Sequence, residues 1–432
     1  MMHSKSFCFI SVCLLLLVCL STSLISCGQP QPTSSPVLSW IKQQALPLKT
    51  TDPQALLDDL QPLQQIVGSA SIVGLGEATH GSHEFFTMKQ RLLEFLVEKM
   101  GFTMFAMEGS WSAGEQINTY VLTGQGSARG AVGQFNFWTW NTQEVLDLVQ
   151  WVRNYDADKG HVQKVRFAGF DCQNIETVTF DQVTQYLQTV DPQSATRVTS
   201  WRARYQYVPH AEQVYELLKQ HEAVYTAHSS SQTFAQALQE ARVIVQYAQL
   251  SLLSVNPKDP HSLVQYAQLR DAFLAENIAW LHEHANGGSK LVLWAHNGHI
   301  ETVKQDSYTR MGMYLRQRYR SQYLAIGMSF YQGSFNAIGE DSNLNTFTIQ
   351  APNHESYNYT FGNVGLSLYA LDLRHLSDGS VGQWMHGPHG FLTIGSVYKR
   401  ATADTFYETL SLPQSFDVII QIQKVTASHL LL

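Results

Sequence analysis

A glutamate and a histidine lie three residues apart, at Glu77 and His80, directly after an apolar run at residues 71–76. In open α/β sheets, ligands bind outside the carboxyl ends of the strands, so two side chains on such a loop can face one small molecule. An imidazole accepts a proton near neutral pH, and a neighbouring carboxylate can fix its orientation. The spacing therefore predicts a general base, His80, and its orienting acid, Glu77.

The residues after this pair predict an amphipathic helix, with Ser82 at its N-cap position. At 100° per residue, Phe85 and Met88 share one apolar face, whereas Arg91 belongs to the opposite, solvated face. Lys89 falls in the middle of the apolar face. Because a buried ammonium must reach water or meet a negative group, we expect Lys89 to point inward and pair with an acid near the strand ends.

Three further strand patterns also end in polar residues. Glu108 follows one of them, Asp171 follows the next, and His296 and His299 follow a third on a turn that Gly298 permits. A single residue of this kind is more often a helix cap or a surface group. Acids and imidazoles at several carboxyl ends of one sheet are expected of a catalytic crevice and are not required by packing.

Six short apolar runs are typical of buried strands, and helical patterns lie between most of them. This alternation predicts an α/β fold with a largely parallel central sheet and helices on both faces. The runs lie at residues 71–75, 103–107, 165–170, 290–295, 323–328 and 417–422. Residues 176–286 are mostly helical in pattern, which indicates a helical insertion. The α/β core is therefore predicted at about 40–175 and 287–432.

The first 26 residues contain one lysine, no acid and an apolar stretch at 7–20 that is too short for a permanent membrane anchor. Leu24-Ile25-Ser26-Cys27-Gly28 follows the pattern of a bacterial lipoprotein signal, so cleavage would leave a lipidated Cys27. Residues 27–39 are rich in Gln, Pro, Ser and Thr, which predicts a flexible tether before a domain at 40–432. We expect an exported lipoprotein anchored at the cell envelope, with a secreted protein as the alternative.

Cysteine usage and charge limit the classes of partner. Cys8, Cys13 and Cys19 would leave with the signal, and Cys172 would be the remaining free thiol, so no intramolecular disulfide is expected. The mature chain would have 432 − 26 = 406 residues, enough for an ordinary hydrophobic core. The formal charge is −7 and basic residues form no long run, so nucleic acid is not an expected partner.

The chain resembles the erythromycin esterase family in the order and rough spacing of three motifs. They are Gly76-Glu77-Ala78-Thr79-His80-Gly81 followed by Glu84-Phe85, then Ala106-Met107-Glu108, then Trp294-Ala295-His296-Asn297-Gly298-His299. Stretches at 138–153 and 169–171 give weaker support, and the resemblance extends from about Trp40 to the C-terminal region. It implies ester hydrolysis without a metal, in which a histidine activates water directly and no covalent intermediate forms.

The same resemblance implies a role for each motif residue. His80 matches the general base, and Glu77 and Glu108 match acids that orient and tune the imidazoles. His296 and His299 match histidines that position the substrate or stabilise developing charge.

Lys89 stands where macrolide-degrading members carry an arginine. A lysine can still neutralise an oxyanion, but it lacks the planar fork of a guanidinium. The expected substrate is a small-molecule carboxylic ester or lactone, with macrolide inactivation as one candidate role and no cofactor. Asp171, Trp111 and Trp138 are candidate substrate-binding residues. The chain has no Gly-x-Ser-x-Gly elbow, which disfavours a serine hydrolase.

Two other functions fit these residues. Glu77, His80, Glu108, His296 and His299 are acceptable ligands for zinc or manganese, so a metal-dependent hydrolase is the first alternative. The sequence has neither the His-Glu-x-x-His pattern nor its inverse after His80. The second alternative is a lipid-anchored solute-binding protein, which would capture a ligand without turning it over.

Overall fold

The structure is a computed structural model that describes residues 35–175, 177–203, 207–253, 255–256, 259–284, 289–303, 308–376 and 378–431. The predicted signal peptide and Cys27 lie outside these residues. Helix α1 (Ser35–Gln44) covers the last five residues of the predicted tether, so the folded part begins earlier than expected. Val37 and Ile41, one helical turn apart, are buried and pack this helix onto the core.

Nine of the eleven described strands form a sheet at the centre of the fold. The strands are β1 (Leu46–Pro47), β2 (Ile72–Leu75), β3 (Met104–Ser110), β4 (Arg166–Asp171), β5 (Leu291–Trp294), β6 (Tyr323–Ile338), β7 (Leu344–Ile349), β8 (Leu368–Asp372), β9 (His389–Leu392), β10 (Tyr407–Leu410) and β11 (Val418–Val425). Their order is β1-β8-β11-β6-β2-β5-β3-β4, with β7 beside β6, whereas β9 and β10 form a separate two-stranded sheet.

The pairing of these strands confirms the predicted α/β class. Strands β11, β6, β2, β5, β3 and β4 run parallel to one another, and β1, β7 and β8 pair antiparallel. All six apolar runs of the sequence form strands of this sheet. Strand β6 continues to Ile338, well beyond the predicted end at residue 328, because its second half pairs with β7.

Helices cover both faces of the sheet. Side chains alternate between the two faces along each strand, so each strand contributes to the core on either side. In β5, Val292 and Trp294 join one hydrophobic core, whereas Leu291 and Leu293 join the core on the other face. The helices are α1, α2 (Gln61–Val67), α3 (His83–Met100), α4 (Trp111–Thr123), α5 (Ala128–Val132), α6 (Gln143–Ala157), α7 (Thr177–Val190), α8 (Pro192–Ala203), α9 (Tyr207–Gln220), α10 (Glu222–His228), α11 (Ser231–Ser251), α12 (Pro260–His284), α13 (Asn297–Ile300), α14 (Met311–Tyr319), α15 (Tyr357–Gly362), α16 (Ser380–His386) and α17 (Leu412–Ser415). Short 3₁₀ helices lie at Asp58–Leu60, Gly133–Phe135, Arg320–Gln322 and Arg400–Phe406.

Six helices, α7 to α12, lie between β4 and β5 in the chain. Helices α7 to α11 enclose a hydrophobic core of their own, separate from the two cores that flank the sheet. Helix α12 contributes Leu274, Ile278 and Leu281 to one of the sheet's cores. The insertion therefore meets the sheet mainly through α12. Within the described residues, no helix is both long and apolar enough to cross a membrane.

Helix α3 follows the predicted pattern on one face and departs from it on the other. Ser82 precedes the helix in an extended conformation, although its side chain makes no capping hydrogen bond. Arg91 was expected on the solvated face, and this prediction is wrong: its side chain is fully buried and lies 2.6 Å from the Asp59 carboxylate. The loop before α2 covers that face, and the helical period of α3 contains no information about such a loop.

Candidate active site

His80 and Glu77 lie together on the loop between β2 and α3. Nδ1 of His80 is 2.6 Å from Oε1 of Glu77. Because a carboxylate can only accept, Nδ1 carries a proton, and Nε2 of the neutral ring then has the lone pair. Glu77 is fully buried, whereas His80 lines a cavity. The free nitrogen of His80 is therefore the one available to a bound molecule.

Two glycines allow this loop to pack closely against its neighbours. A Cβ atom on Gly76 would lie 2.1 Å from Oδ1 of Asn297, and one on Gly81 would lie 2.0 Å from the carbonyl oxygen of Asn336. Both distances are far below van der Waals contact. The backbone N of Asn297 also donates to the carbonyl oxygen of Glu77 at 2.9 Å, which joins this loop to the histidine motif.

Lys89 is fully buried behind Glu77, so the expected pairing with an acid is present. Its Nζ donates to Oε2 of Glu77 at 2.6 Å and to the carbonyl oxygen of Ala295 at 3.0 Å. Burial lowers the pKa of Lys89 to about 8, against the opposing effect of the Glu77 carboxylate. The ammonium does not line the cavity, so the expectation that it could meet an oxyanion is wrong. Lys89 is a positioning residue for Glu77.

A second cluster surrounds Arg270, a residue of α12. Its Nη2 lies 2.9 Å from Oε1 of Glu108 and 2.6 Å from Oδ2 of Asp171, while its Nε donates to Oδ1 of Asp171 at 3.2 Å. Burial opposes the charge of this guanidinium, but Asp171 and Glu108 hold the pKa of Arg270 well above its usual range. Arg270 thus joins the insertion to the ends of β3 and β4.

His299 lies between two carboxylates and this guanidinium. Its Nδ1 is 2.7 Å from Oδ1 of Asp271, and its Nε2 is 3.2 Å from Oε1 of Glu108. Although burial acts in the opposite direction, Glu108 and Asp271 raise the pKa of His299 to about 9. Nη1 of Arg270 is also 2.9 Å from Nε2, and this contact alone would favour a neutral ring. Two carboxylates outweigh one guanidinium, so the charge balance favours protonated His299.

Glu108 links the two clusters. Its Oε1 faces Arg270 and His299, and its Oε2 accepts from the backbone N of His296 at 2.9 Å. Burial acts to raise the pKa of Glu108, but the nearby charges of His299 and Arg270 hold it well below its usual range. Glu108 is therefore an ionised anchor that fixes the start of the histidine motif.

His296 is a neutral hydrogen-bond donor. Its Nδ1 accepts from the backbone N of Gly298 at 3.2 Å, so the proton is on Nε2, which lies 3.4 Å from Oγ1 of Thr393. Burial and the nearby His80 lower the pKa of His296 well below its usual value. The ring centroids of His80 and His296 are 5.1 Å apart. A small group can therefore contact the base and this donor together.

A cavity of about 380 Å³ brings most of the predicted residues together. Trp138 lines it, and Asp171 reaches it through Arg270. Trp111 does not line it: its ring centroid is 5.6 Å from that of Trp280, and the side chain packs in a hydrophobic core beside the sheet. The structure therefore does not bring Trp111 into the site, because the first residue of α4 packs against α12 and not into the cavity. The lining residues are His80, Glu108, Phe137, Trp138, Thr139, Trp140, Gln173, Arg270, His296, His299, Gly395 and Ser396.

Arg270 and Asp271 are the charged site residues that the sequence motifs did not identify. Both lie on α12, on the face that carries Leu274, Ile278 and Leu281 into the core. A charged residue on the apolar face of a helix was also the pattern that predicted a buried Lys89. The same pattern in α12 would have predicted that Arg270 and Asp271 face the sheet.

The metal alternative named five side chains of this site as ligands. In the structure, Lys89 binds the Glu77 carboxylate and Arg270 binds that of Glu108, so both carboxylates already have cationic partners. Across the described parts of the chain, the set of ligand side chains with all donor atoms within 4.8 Å of one another is His83, Glu144 and His429. That set lies outside the cavity lining.

Comparison with known proteins identifies the family. The sequence model of erythromycin esterase matches residues 97–425, which is most of the chain. The chain belongs to the erythromycin esterase family. The matched residues include Glu108, His296 and His299, and membership of this family makes the protein a hydrolase. The loop of Glu77 and His80 precedes the matched region.

Individual members of the family and related structures agree with this assignment. Erythromycin esterase type II of Escherichia coli is 22% identical over 433 residues, which cover 90% of this chain and 98% of that protein. A crystal structure of a Bacillus cereus protein is 32% identical, with a TM-score of 0.81, and covers 92% of this chain and 99% of that one. A mutant of erythromycin esterase EreC, at 16% identity and a TM-score of 0.65, covers 87% of this chain and 96% of its own and has the same fold.

Proposed function

We propose that this protein hydrolyses a carboxylic ester or lactone with water that His80 activates. The observation that carries this proposal is the 2.6 Å bond from Nδ1 of His80 to the buried Glu77 carboxylate. It leaves the Nε2 lone pair for the cavity. A neutral imidazole in this tautomer can take a proton from water as the water attacks a carbonyl carbon.

The reaction needs one proton to move twice. Water oxygen bonds to the carbonyl carbon, and its proton passes to Nε2 of His80. When the tetrahedral intermediate collapses, the bond from carbon to the leaving oxygen breaks, and His80 returns the proton to that oxygen. The products are a carboxylic acid and an alcohol, which remain in one molecule if the substrate is a lactone. No covalent bond to the enzyme is required.

The charges around His80 suit these steps. Glu77 stabilises the imidazolium that forms, and Lys89 fixes the second oxygen of Glu77. The negative oxygen of the intermediate can be met by the Nε2–H of His296 and by the guanidinium of Arg270, both of which line the cavity. Burial makes these interactions stronger than they would be in water.

The size of the cavity bears on the substrate. Its volume of about 380 Å³ lies near the lower end of the roughly 300–1,000 Å³ of small-molecule sites. A small ester fits inside it, whereas a large lactone would place its reacting carbonyl inside and its remaining ring outside. The name of the Escherichia coli relative makes macrolide inactivation one candidate role, and the aromatic side chains of Trp138 and Trp140 offer an apolar wall for such a ring.

A mass-spectrometric screen tests the proposal directly. The full chain is incubated with macrolides, simple lactones and acylated sugars, and products are detected by the addition of one water. We expect turnover of at least one ester or lactone, and we expect His80→Ala to bind that compound without hydrolysing it. His386→Ala, which changes an exposed histidine outside the site, is the matched control. Binding without turnover by the unmodified protein would instead support the solute-binding alternative.

Chelation separates the water-and-histidine reaction from a metal-dependent one. We expect kcat/KM to remain within about twofold after exhaustive treatment with a chelator. If activity were lost and returned with zinc or manganese, the reaction would depend on a metal. Activity is assayed well below the melting temperature, so that metal bound elsewhere affects stability alone.

We also propose that the enzyme is exported and anchored at the cell envelope by lipid on Cys27. The support is the Leu24-Ile25-Ser26-Cys27-Gly28 pattern, which follows an apolar stretch of signal-peptide length. Fractionation of cells tests this: the wild-type chain should be recovered with membranes, and Cys27→Ala should not be. Equal recovery of both in the soluble fraction would contradict the anchor.

A further inference from the structure

Three metal-ligating side chains converge outside the cavity. His83 is the first residue of α3, Glu144 lies in the first turn of α6, and His429 belongs to the C-terminal segment, residues 426–431. Nδ1 of His83 is 2.6 Å and Nδ1 of His429 is 2.8 Å from the same oxygen, Oε1 of Glu144. The Glu144 side chain is 2% exposed and that of His429 is 66% exposed, so the cluster has a buried base and an open side.

We propose that His83, Glu144 and His429 bind a zinc ion that braces the walls of the active site. Two imidazole nitrogens and one carboxylate oxygen are a ligand set that Zn²⁺ accepts, with water at the fourth position. Neighbouring donors around tetrahedral zinc are about 3.3 Å apart at the usual bond lengths. The two histidine nitrogens therefore need to move away from Oε1 of Glu144 by less than about 1 Å.

The backbone holds the three ligands in place before an ion binds. The backbone N of Gln143, next to Glu144, donates to the carbonyl oxygen of His429 at 2.7 Å. The backbone N of His83 donates to the carbonyl oxygen of Thr426 at 2.8 Å, at the start of the C-terminal segment. The segment is thus fixed to the first turns of both helices. A site assembled on fixed elements binds a metal with little loss of conformational entropy.

The position of this cluster gives the ion a structural role. His83 follows the base His80 by three residues, and Glu144 follows the cavity residue Trp140 by four. The ligands themselves do not line the cavity. Zinc at this point would hold the loop that carries His80 and the loop that carries Trp140 together, and it would not contact the substrate. It is a separate ion from the catalytic metal considered for Glu77, His80, Glu108, His296 and His299.

Zinc binding to the untagged, metal-stripped full chain tests the proposal. Calorimetric titration should show one saturable zinc site per chain. His429→Ala should lower the zinc affinity at least about 100-fold, because loss of a residue that only hydrogen-bonds to a metal ligand already costs about 10- to 100-fold, and His429 would be a ligand itself. His386→Ala is the matched control, since it also removes an exposed histidine, and it should bind zinc like the wild type. His83→Gln provides a second ligand variant.

Two further readouts do not depend on activity. Zinc at a free concentration 100 times its Kd should raise the Tm of the wild type by about 3 °C, and should not raise that of His429→Ala. Cobalt in place of zinc should give visible absorption that is lost in the same variant. A wild-type titration without a saturable site would overturn the proposal and leave a hydrogen-bonded cluster. Equal zinc affinity in wild type and His429→Ala would overturn it as well.

Discussion

The buried pair of Lys89 and Glu77 predicts that stability and activity can be separated. Burial moves the pKa of Lys89 from 10.5 to about 8 even though Glu77 is 2.6 Å away. At about 1.4 kcal/mol per pKa unit, keeping this ammonium charged at neutral pH costs about 3 kcal/mol. Charged Lys89 therefore does not stabilise the fold, and its role is to orient the Glu77 carboxylate.

Two variants follow from this magnitude. Lys89→Met leaves a buried carboxylate without its partner and should lower the free energy of unfolding by about 3–5 kcal/mol. The double variant Glu77→Gln/Lys89→Met removes both charges, so it should return to within about 1 kcal/mol of the wild type or exceed it. Its kcat/KM should nevertheless remain about 10²- to 10⁴-fold low, because an amide cannot stabilise the imidazolium of His80 as a carboxylate does.

Denaturant unfolding at neutral pH and steady-state kinetics on the ester found in the screen measure the two effects. Lys99→Met is the matched control, since Lys99 lies on the same helix with 43% of its side chain exposed, and it should change stability by less than about 0.5 kcal/mol. The reasoning is refuted if Lys89→Met is as stable as the wild type. It is also refuted if the double variant regains wild-type activity.

Three other predictions concern the second cluster and the cavity. The folded pKa of His299 is raised from 6.5 to about 9, so His299 contributes about 3 kcal/mol to the free energy of unfolding. This contribution is fully present below pH 6.5 and is lost as the pH rises through 9. The Tm difference between wild type and His299→Gln should therefore shrink over that range, and a constant difference would contradict the assignment. Arg270→Lys keeps the charge but loses the two-nitrogen contact with Asp171, so kcat/KM should fall at least about tenfold, and unchanged kinetics would show that the fork is dispensable. Trp138→Ala should raise KM about tenfold with little change in kcat, because this side chain lines the cavity without contacting the His80–Glu77 pair, and an equal fall in kcat would assign it a role in the chemistry.

The sequence was sufficient for the parts of the fold that depend on local pattern. Each of the six parallel strands is a short apolar run, because a strand buried on both faces needs apolar side chains throughout. Strands β1 and β7 are short or partly exposed: β1 has two residues, and β7 has one buried position in six. Their sequences therefore do not differ clearly from loops. Strand β8 is buried at four of its five positions, and the prediction missed it.

The same distinction applies to the site. Five of the predicted residues lie at the end of a strand or just after it, so the chain order already places them at one edge of the sheet: Glu77, His80, Glu108, His296 and His299. Arg270 arrives from a helix 99 residues after Asp171 in the chain, and its approach depends on how the insertion docks. Arg91 and Trp111 were misplaced for a related reason, because covering loops and the packing of one helix against another are tertiary features that local periodicity does not encode.

The separate hydrophobic core of the insertion has a consequence for redesign. Helices α7 to α11 share one hydrophobic core, whereas α12 carries Arg270 to the carboxylates of Glu108 and Asp171. The chain thus contains a group of helices with a core of their own and a helix that carries a residue of the candidate site. Exchange of residues 177–251 between family members, with α12 retained, should preserve the chemistry while replacing a large part of the outer surface. Evolution can use the same division to adapt the protein to a new surface environment without rebuilding its reaction centre.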